Sequence, residues 1–177
     1  NWLALTHLII ARPEPERDLL PRNPTVSVIV PARNEAGNIA ELVSRTPKIG
    51  RDMEIIFVEG HSTDGTCEII KKIIAEHPER RLHLLRQTGV GKGDAVRKGF
   101  AHATGDILMI LDADMTVPPE DLQRFFELLC SGKGEFANGV RLVYPMEDHA
   151  MRLWNLVGNK FFTIAFSWLL GQFVKDT

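Results

Sequence analysis

Cysteine is nearly absent: among 177 residues only Cys67 and Cys130 carry a thiol, with no CxxC pair and no histidine at ligand spacing. Neither a disulfide framework nor a structural zinc site is expected. Both thiols read as reduced core residues in a cytoplasmic setting. An excess of one charge is missing too, since 21 Lys and Arg face 23 Asp and Glu for a net charge of −2. No basic field is present to hold a nucleic acid. Long unbroken apolar runs are also lacking. "WLALTHLIIA" is about half of the roughly 20 residues a spanning helix needs, and it has neither the charged leader nor the cleavage site of a signal peptide. The stretch from Leu153 to Val174 is long enough but is interrupted by Asn155, Gly158, Asn159, Lys160 and Gln172. It reads as an amphipathic helix, packed on the protein's own core or lying on a membrane surface.

One further absence bears on chemistry. "GVGKGDAVRKGF", residues 89–100, looks like a phosphate-binding P-loop, yet Arg86 stands where its first glycine belongs and Gly93 where its Ser or Thr belongs. Without the hydroxyl that holds magnesium, the P-loop reading fails. What remains is a flexible loop before a helix, whose free amides and positive dipole end attract an anion.

What is present is a repeated pairing of strand and helix. Residues 1–24 include "RPEPERDLLPRNP" and read as a linker or the tail of a preceding domain. From Thr25 the pattern is regular. "TVSVIVPA" precedes a helix over about 38–45, and "MEIIFVEG" precedes "DGTCEIIKKIIAEH", which puts Cys67, Ile70, Ile73 and Ile74 on one face. "RLHLLRQ" precedes a helix over 92–103, and "DILMILDAD" precedes "PPEDLQRFFELLC". Four such pairs with nearly unbroken apolar strands predict an α/β three-layer sandwich, its mostly parallel sheet covered on both faces. Ligands of such sheets bind at the carboxyl ends of the strands. The polar clusters "PARNEAGN", "VEGHSTDGT" and "LDADMT" therefore gather at one edge.

Asp112 and Asp114 lie just beyond a buried strand and would repel each other without a cation. Hard oxygen ligands suit Mg2+ or Mn2+, which complete their shells with water and substrate phosphates. Lys92 belongs to the same edge, where its charge can meet a diphosphate. Glu59 ends the second strand with no capping duty and can accept hydrogen bonds from a base or ribose, whereas Asp64 reads as a helix cap. Arg141 is another cation beyond an apolar segment. His61, His77, His83, His102 and His149 have no ligand spacing and read as surface or loop residues.

In this order "VSVIVPARNEAGNI", "VEGHSTDGT", "GKGDAVRKGF" and "GDILMILDADMTVPPEDL" resemble the family two glycosyltransferases of the GT-A, nucleotide-diphospho-sugar transferase fold. The likeness is strongest to the polyprenol-phosphate sugar transferase branch. It covers about Thr25 to Arg141 and, more loosely, the rest. It implies that the Pro31, Ala32, Arg33 and Glu35 segment lines a nucleotide pocket and that Val58 and Glu59 contact the base. It also implies that Asp112, Ala113 and Asp114 hold the diphosphate through a divalent metal with Thr116 close by, and that Arg141 approaches the donor. Where members commonly read "DDGSTDGT", this chain has Gly60 in place of the second acid, which leaves the nucleobase open.

The resemblance further implies a GDP- or UDP-sugar donor, a lipid phosphate or glycan acceptor, inversion at the anomeric carbon and a role in cell envelope polysaccharide. The expected location is the cytoplasm, at the inner face of the membrane. Asp176 matches the family's acceptor-side aspartate, but the Gly-aromatic-Arg segment that follows it there is not in the sequence. The domain over 25–177 is thus expected to be truncated at its C-terminus. Two rivals stand beside this reading: a nucleotide-sugar-binding domain without turnover, and a sugar-phosphate nucleotidyltransferase. The latter expects a glycine-rich loop after strand one, where this chain has "PARNEAGN".

Overall fold

The structure, a computed structural model, describes residues 20–139. The chain divides between Glu135 and Phe136 into two units, and every element below lies in the first. Strands β1 (Val26–Ala32), β2 (Met53–Glu59), β3 (Arg81–Arg86) and β4 (Ile107–Ile110) alternate with helices α1 (Ile39–Arg45), α2 (Thr66–Glu76), α3 (Lys92–His102) and α4 (Leu122–Cys130). A 3-10 turn over Pro119–Asp121 leads into α4, with Pro119 where a helix start needs no N–H donor. The sheet order is β3-β2-β1-β4, and all three pairings are parallel. Chain order reverses between β1 and β4, which in an open parallel sheet marks the place of a ligand crevice.

The central strands β1 and β2 are rich in β-branched residues because both their faces are buried. On one face Val26, Val28, Val30 and Ala32 of β1 join Ile55 and Phe57 of β2, beneath Ile39, Leu42 and Val43 of α1, Ile70 and Ile73 of α2, and Leu122 of α4. On the other, Ile29, Ile56 and Val58 meet Ala95 of α3. These are the three expected layers. Coverage is less complete than the sequence suggests, because α3 packs on β1 and β2 while Leu108 and Ile110 of β4 stay 43% and 47% exposed. Two further expectations change: Cys130 is exposed rather than core, and Ile74 is half-buried beside the fully buried Ile70.

Pro31 determines where β4 leaves the sheet. The ladder between β1 and β4 runs through odd-numbered β1 residues, as in Ile107 N–H to Thr25 O and Leu111 N–H to Ile29 O, both 3.0 Å. The next bond of a parallel ladder would come from the N–H of residue 31 to Leu111 O. Proline has no N–H, so the ladder stops at Leu111 and Asp112–Asp114 are released from the sheet. On the β2 side even-numbered residues do the bonding, and Gly60 N–H still reaches Ala32 O at 2.9 Å.

The opposite end of the sheet is fastened by Glu54, whose side chain is 4% exposed. Its Oε1 accepts Ser27 Oγ–H at 2.5 Å, Thr104 N–H at 2.8 Å and Thr104 Oγ1–H at 2.9 Å, while Ser27 Oγ accepts Gly105 N–H at 2.8 Å. His83, read from sequence as a surface or loop residue, keeps its side chain 41% exposed but has Nε2 buried 3.3 Å from Glu54 Oε2, without the geometry of a hydrogen bond. Burial alone would push the Glu54 carboxyl up, but the Ser27 and Thr104 hydrogen bonds and the charge of Arg81 outweigh it and hold it below the ordinary glutamate value.

A depressed folded-state pKa gives stability that is present above the unfolded value of about 4.3 and is lost as pH falls through the folded one. Urea unfolding from pH 7 to 3 should show Glu54→Gln less stable by about 1–3 kcal/mol at neutral pH. The gap should narrow in acid. Two curves that stay parallel to pH 3 would count against the assignment.

Candidate active site

The carboxyl edge of the sheet carries a cleft of about 350 Å3, within the range of small-molecule sites, roughly 300–1,000 Å3. β1 and its following loop contribute Pro31, Ala32, Arg33 and Glu35; β2 and the turn after it contribute Val58, Gly60 and His61. The end of β3 and the start of α3 contribute Gln87, Val90, Gly91, Lys92 and Ala95, and the segment after β4 contributes Asp112, Ala113 and Asp114. Nine of the expected site residues therefore share one cleft.

Two described ones do not line it. Glu59 alternates with Val58 and Gly60 along β2, so the strand gives those two to the cleft, and the buried Glu59 carboxylate accepts Ser62 N–H instead. Thr116 enters through its backbone N–H, which donates to Asp114 Oδ1 at 3.0 Å. Arg141 and Asp176 lie outside the described residues, as does the stretch from Leu153 to Val174.

Charge within the cleft is concentrated at the β4 end. Lys92 Nζ lies 2.6 Å from Asp112 Oδ1, with the lysine side chain 60% exposed and the aspartate 27%. The lysine opens α3, so the positive end of the helix dipole adds to its charge. Asp114 is exposed, and between the two acids Ala113 is only 3% exposed, which anchors the pair to the core. Two carboxylates at one rim, the first already drawing a cation to itself, are a donor set that fits Mg2+ or Mn2+ with water and phosphate oxygens filling the shell. An all-protein cage is a different matter: among the described residues no group of three or more His, Cys, Asp and Glu could hold a metal ion.

The loops that carry these residues are tied down. After β1, Asn34 N–H donates to Ser62 Oγ at 3.0 Å, and Asn34 Oδ1 accepts Thr63 N–H at 2.9 Å. Glu35 N–H reaches Thr66 Oγ1 at 2.9 Å and Ala36 N–H reaches Asp64 Oδ2 at 3.0 Å. The N-cap of α2 is Gly65 rather than the expected Asp64; Asp64, one residue earlier, accepts Thr66 N–H at 3.0 Å and joins the two loops. Its carboxyl is held below the ordinary aspartate value, first by the Thr66 hydroxyl and then by the Ala36 amide.

The glycine loop before α3, read from sequence as flexible, is likewise pinned. Gln87 Nε2 donates to Gly91 O at 2.7 Å and to Asp94 Oδ2 at 3.0 Å, and Gly89 N–H donates to the same Asp94 oxygen at 3.1 Å. Gln87 is a site residue the sequence reading missed; a glutamine after a strand carries no local signal. Among the described residues, three non-glycine residues adopt left-handed backbone, Asn34 (φ 57°), His61 (φ 59°) and Met115 (φ 54°), one after each of β1, β2 and β4. Such conformations cost about 1–3 kcal/mol each and gather where function constrains the chain.

The family model described as glycosyl transferase family 2 matches residues 27–173. An undecaprenyl-phosphate 4-deoxy-4-formamido-L-arabinose transferase of Edwardsiella ictaluri is 33% identical over 111 residues, 60% of this chain and 34% of that protein. The chain spans about a third of the length of the curated relatives it matches. Among solved structures, a mannosyltransferase from Pyrobaculum calidifontis in complex with GDP-Man and Mn2+ is 36% identical with a TM-score of 0.54, covering 60% of this chain and 32% of that one. Glucosyl-3-phosphoglycerate synthase from Mycobacterium tuberculosis, in complex with Mn2+, UDP and glucosyl-3-phosphoglycerate, is 26% identical with a TM-score of 0.50, covering 70% and 47%.

Proposed function

The chain belongs to glycosyl transferase family 2, and from that premise we propose that it is the donor-binding part of a metal-dependent, inverting hexosyltransferase. The donor is a GDP- or UDP-sugar and the acceptor a polyprenyl phosphate or a glycan. The observation that carries this is the convergence of Asp112, Asp114 and Lys92 in one cleft at the sheet's switch point, with Lys92 Nζ 2.6 Å from Asp112 Oδ1. A nucleoside lying along the strand ends toward β2 and β3 places its diphosphate at this charged end. The mannosyltransferase from Pyrobaculum calidifontis, solved with GDP-Man and Mn2+, supports the donor class and the metal.

Asp112 and Asp114 would hold Mg2+ or Mn2+, with Thr116 fixing the Asp114 carboxylate through its amide. The ion supplies Lewis-acid stabilisation of charge on a leaving diphosphate. Lys92 exchanges its partner Asp112 for a phosphate oxygen, and the α3 N-terminus aims its dipole the same way. Arg33 approaches the donor from the β1 loop, and a donor contact is also assigned to Arg141. A lipid phosphate is already an anionic nucleophile, whereas a hydroxyl acceptor needs a carboxylate to take its proton, the role assigned to Asp176. Among the described residues no helix is long and apolar enough to cross a membrane; peripheral attachment at the inner face is the arrangement proposed for a lipid acceptor.

Calorimetric titration with GDP, UDP and their mannose and glucose conjugates, with and without Mn2+, tests this. Metal-dependent binding of one nucleotide series is expected. Binding that ignores Mn2+, or none by any of them, would overturn the proposal. Because the chain spans about a third of its curated relatives, a second reading is nucleotide-sugar binding without turnover. It predicts the same titration with no sugar transfer to an added polyprenyl phosphate.

A further inference from the structure

We propose that Gln87 selects the nucleobase, its side-chain carbonyl accepting the ring N–H of a keto base, N3–H of uracil or N1–H of guanine. The inference rests on the donor site proposed above and goes beyond it by assigning the residue that reads the base. β2 and β3 lie two and three positions from β4 in the sheet, roughly 10–14 Å at a strand spacing of about 4.8 Å. A nucleotide whose diphosphate meets Asp112 and Lys92 therefore lays its base against the ends of β2 and β3, where Val58, Gly60 and Gln87 line the cleft.

Gln87 is only 6% exposed, and its backbone N–H is bonded to Glu59 O at 2.9 Å. Its amide has one possible orientation, because Gly91 O and Asp94 Oδ2, at 2.7 and 3.0 Å, are both acceptors and must face the NH2 group. The carbonyl Oε1 is thereby turned to the other side. A Cβ on residue 60 would come within 3.0 Å of it, so the absence of a side chain at Gly60 leaves room beside this oxygen.

The result is a fixed, nearly buried acceptor at the base end of the cleft. Uracil and guanine present a ring N–H donor on their pairing edge. Cytosine and adenine present a ring nitrogen lone pair there, which a carbonyl repels. An unpaired buried acceptor is costly enough to discriminate by about 10- to 100-fold.

The test is calorimetry on the full chain with Mn2+ and UDP, GDP, CDP, ADP, and the N3-methyl and N1-methyl derivatives of UDP and GDP. The expected result is that UDP or GDP binds at least about 10-fold tighter than its amino counterpart, CDP or ADP, and than its own N-methyl derivative. Gln87→Leu, which keeps the bulk and removes the acceptor, should bring those ratios toward one. If Gln87 only held the glycine loop, the leucine variant would weaken every nucleotide alike and leave the ratios intact, and that outcome would overturn the proposal. Should the variant fail to fold, the wild-type ratios decide by themselves. CDP or ADP binding as well as its keto counterpart, with the methyl group tolerated, sinks the assignment of Gln87 alone. A failure of all nucleotides to bind sinks the donor site, and this inference with it.

Discussion

Asp114→Asn should weaken Mn2+-dependent nucleotide binding by at least about 100-fold while leaving the fold intact. Losing a residue that only orients a metal ligand already costs about 10- to 100-fold, and among the described residues Asp114 is one of two carboxylates at the β4 rim of the cleft. Asparagine keeps the side chain's size and an oxygen to accept Thr116 N–H, now at 3.0 Å from Asp114 Oδ1, so the exposed position should change stability by no more than about 0.5 kcal/mol. Calorimetry with and without Mn2+, beside a urea unfolding curve, separates the two effects. Wild-type metal dependence in the variant would remove Asp114 from the site. The same change at Asp112 should be less clean, because it also releases Lys92 from its 2.6 Å partner and leaves that cation free for the diphosphate.

Gly99→Val should cost about 3 kcal/mol of stability and loosen the proposed nucleotide site together. Gly99 is buried in α3 against β1, where a Cβ would sit 2.5 Å from Ile29 Cγ2 and 2.9 Å from Cγ1, well inside van der Waals contact. Ile29 is fully buried at the centre of the sheet and cannot yield, so the helix must shift. Overpacking of this kind typically costs about 1–3 kcal/mol, and valine recovers little of the helix propensity that alanine would. Lys92 begins the same helix two turns earlier, so a displaced α3 carries the lysine away from Asp112. A variant that unfolds at the wild-type urea concentration would show that α3 packs on β1 less closely than these distances require.

Most of the scaffold was legible in the sequence, because buried parallel strands and amphipathic helices write themselves as apolar runs and periodic stripes. All four strands and all four helices stand where those patterns put them, and the acid pair, Lys92 and the β1 segment converge as their places at strand ends required. Side-chain direction at the end of β2 was less accessible. "IIFVE" is apolar on both faces, so nothing in it says whether Val58 or Glu59 looks into the cleft. Gln87 escaped for another reason: its role depends on Asp94 one loop later and on a missing side chain at Gly60, three places that meet only in the fold. His83 was obscured likewise, since its neighbour Glu54 belongs to the adjacent strand. The ladder-stopping duty of Pro31 needed the knowledge that odd-numbered β1 residues face β4.

That proline also bears on how fast a ligand can enter. A crevice held shut by backbone hydrogen bonds opens only by unzipping part of the sheet, a collective event that belongs to microseconds or longer. Here the bond that would close the gap between β1 and β4 past Leu111 has no donor, so the gap is present before any ligand arrives. Among the described residues, what stands across it is the Lys92 side chain, 60% exposed and paired with Asp112, which moves on the picosecond-to-nanosecond scale of surface rotamers. Among the described residues, entry therefore asks only for diffusion and one side-chain exchange.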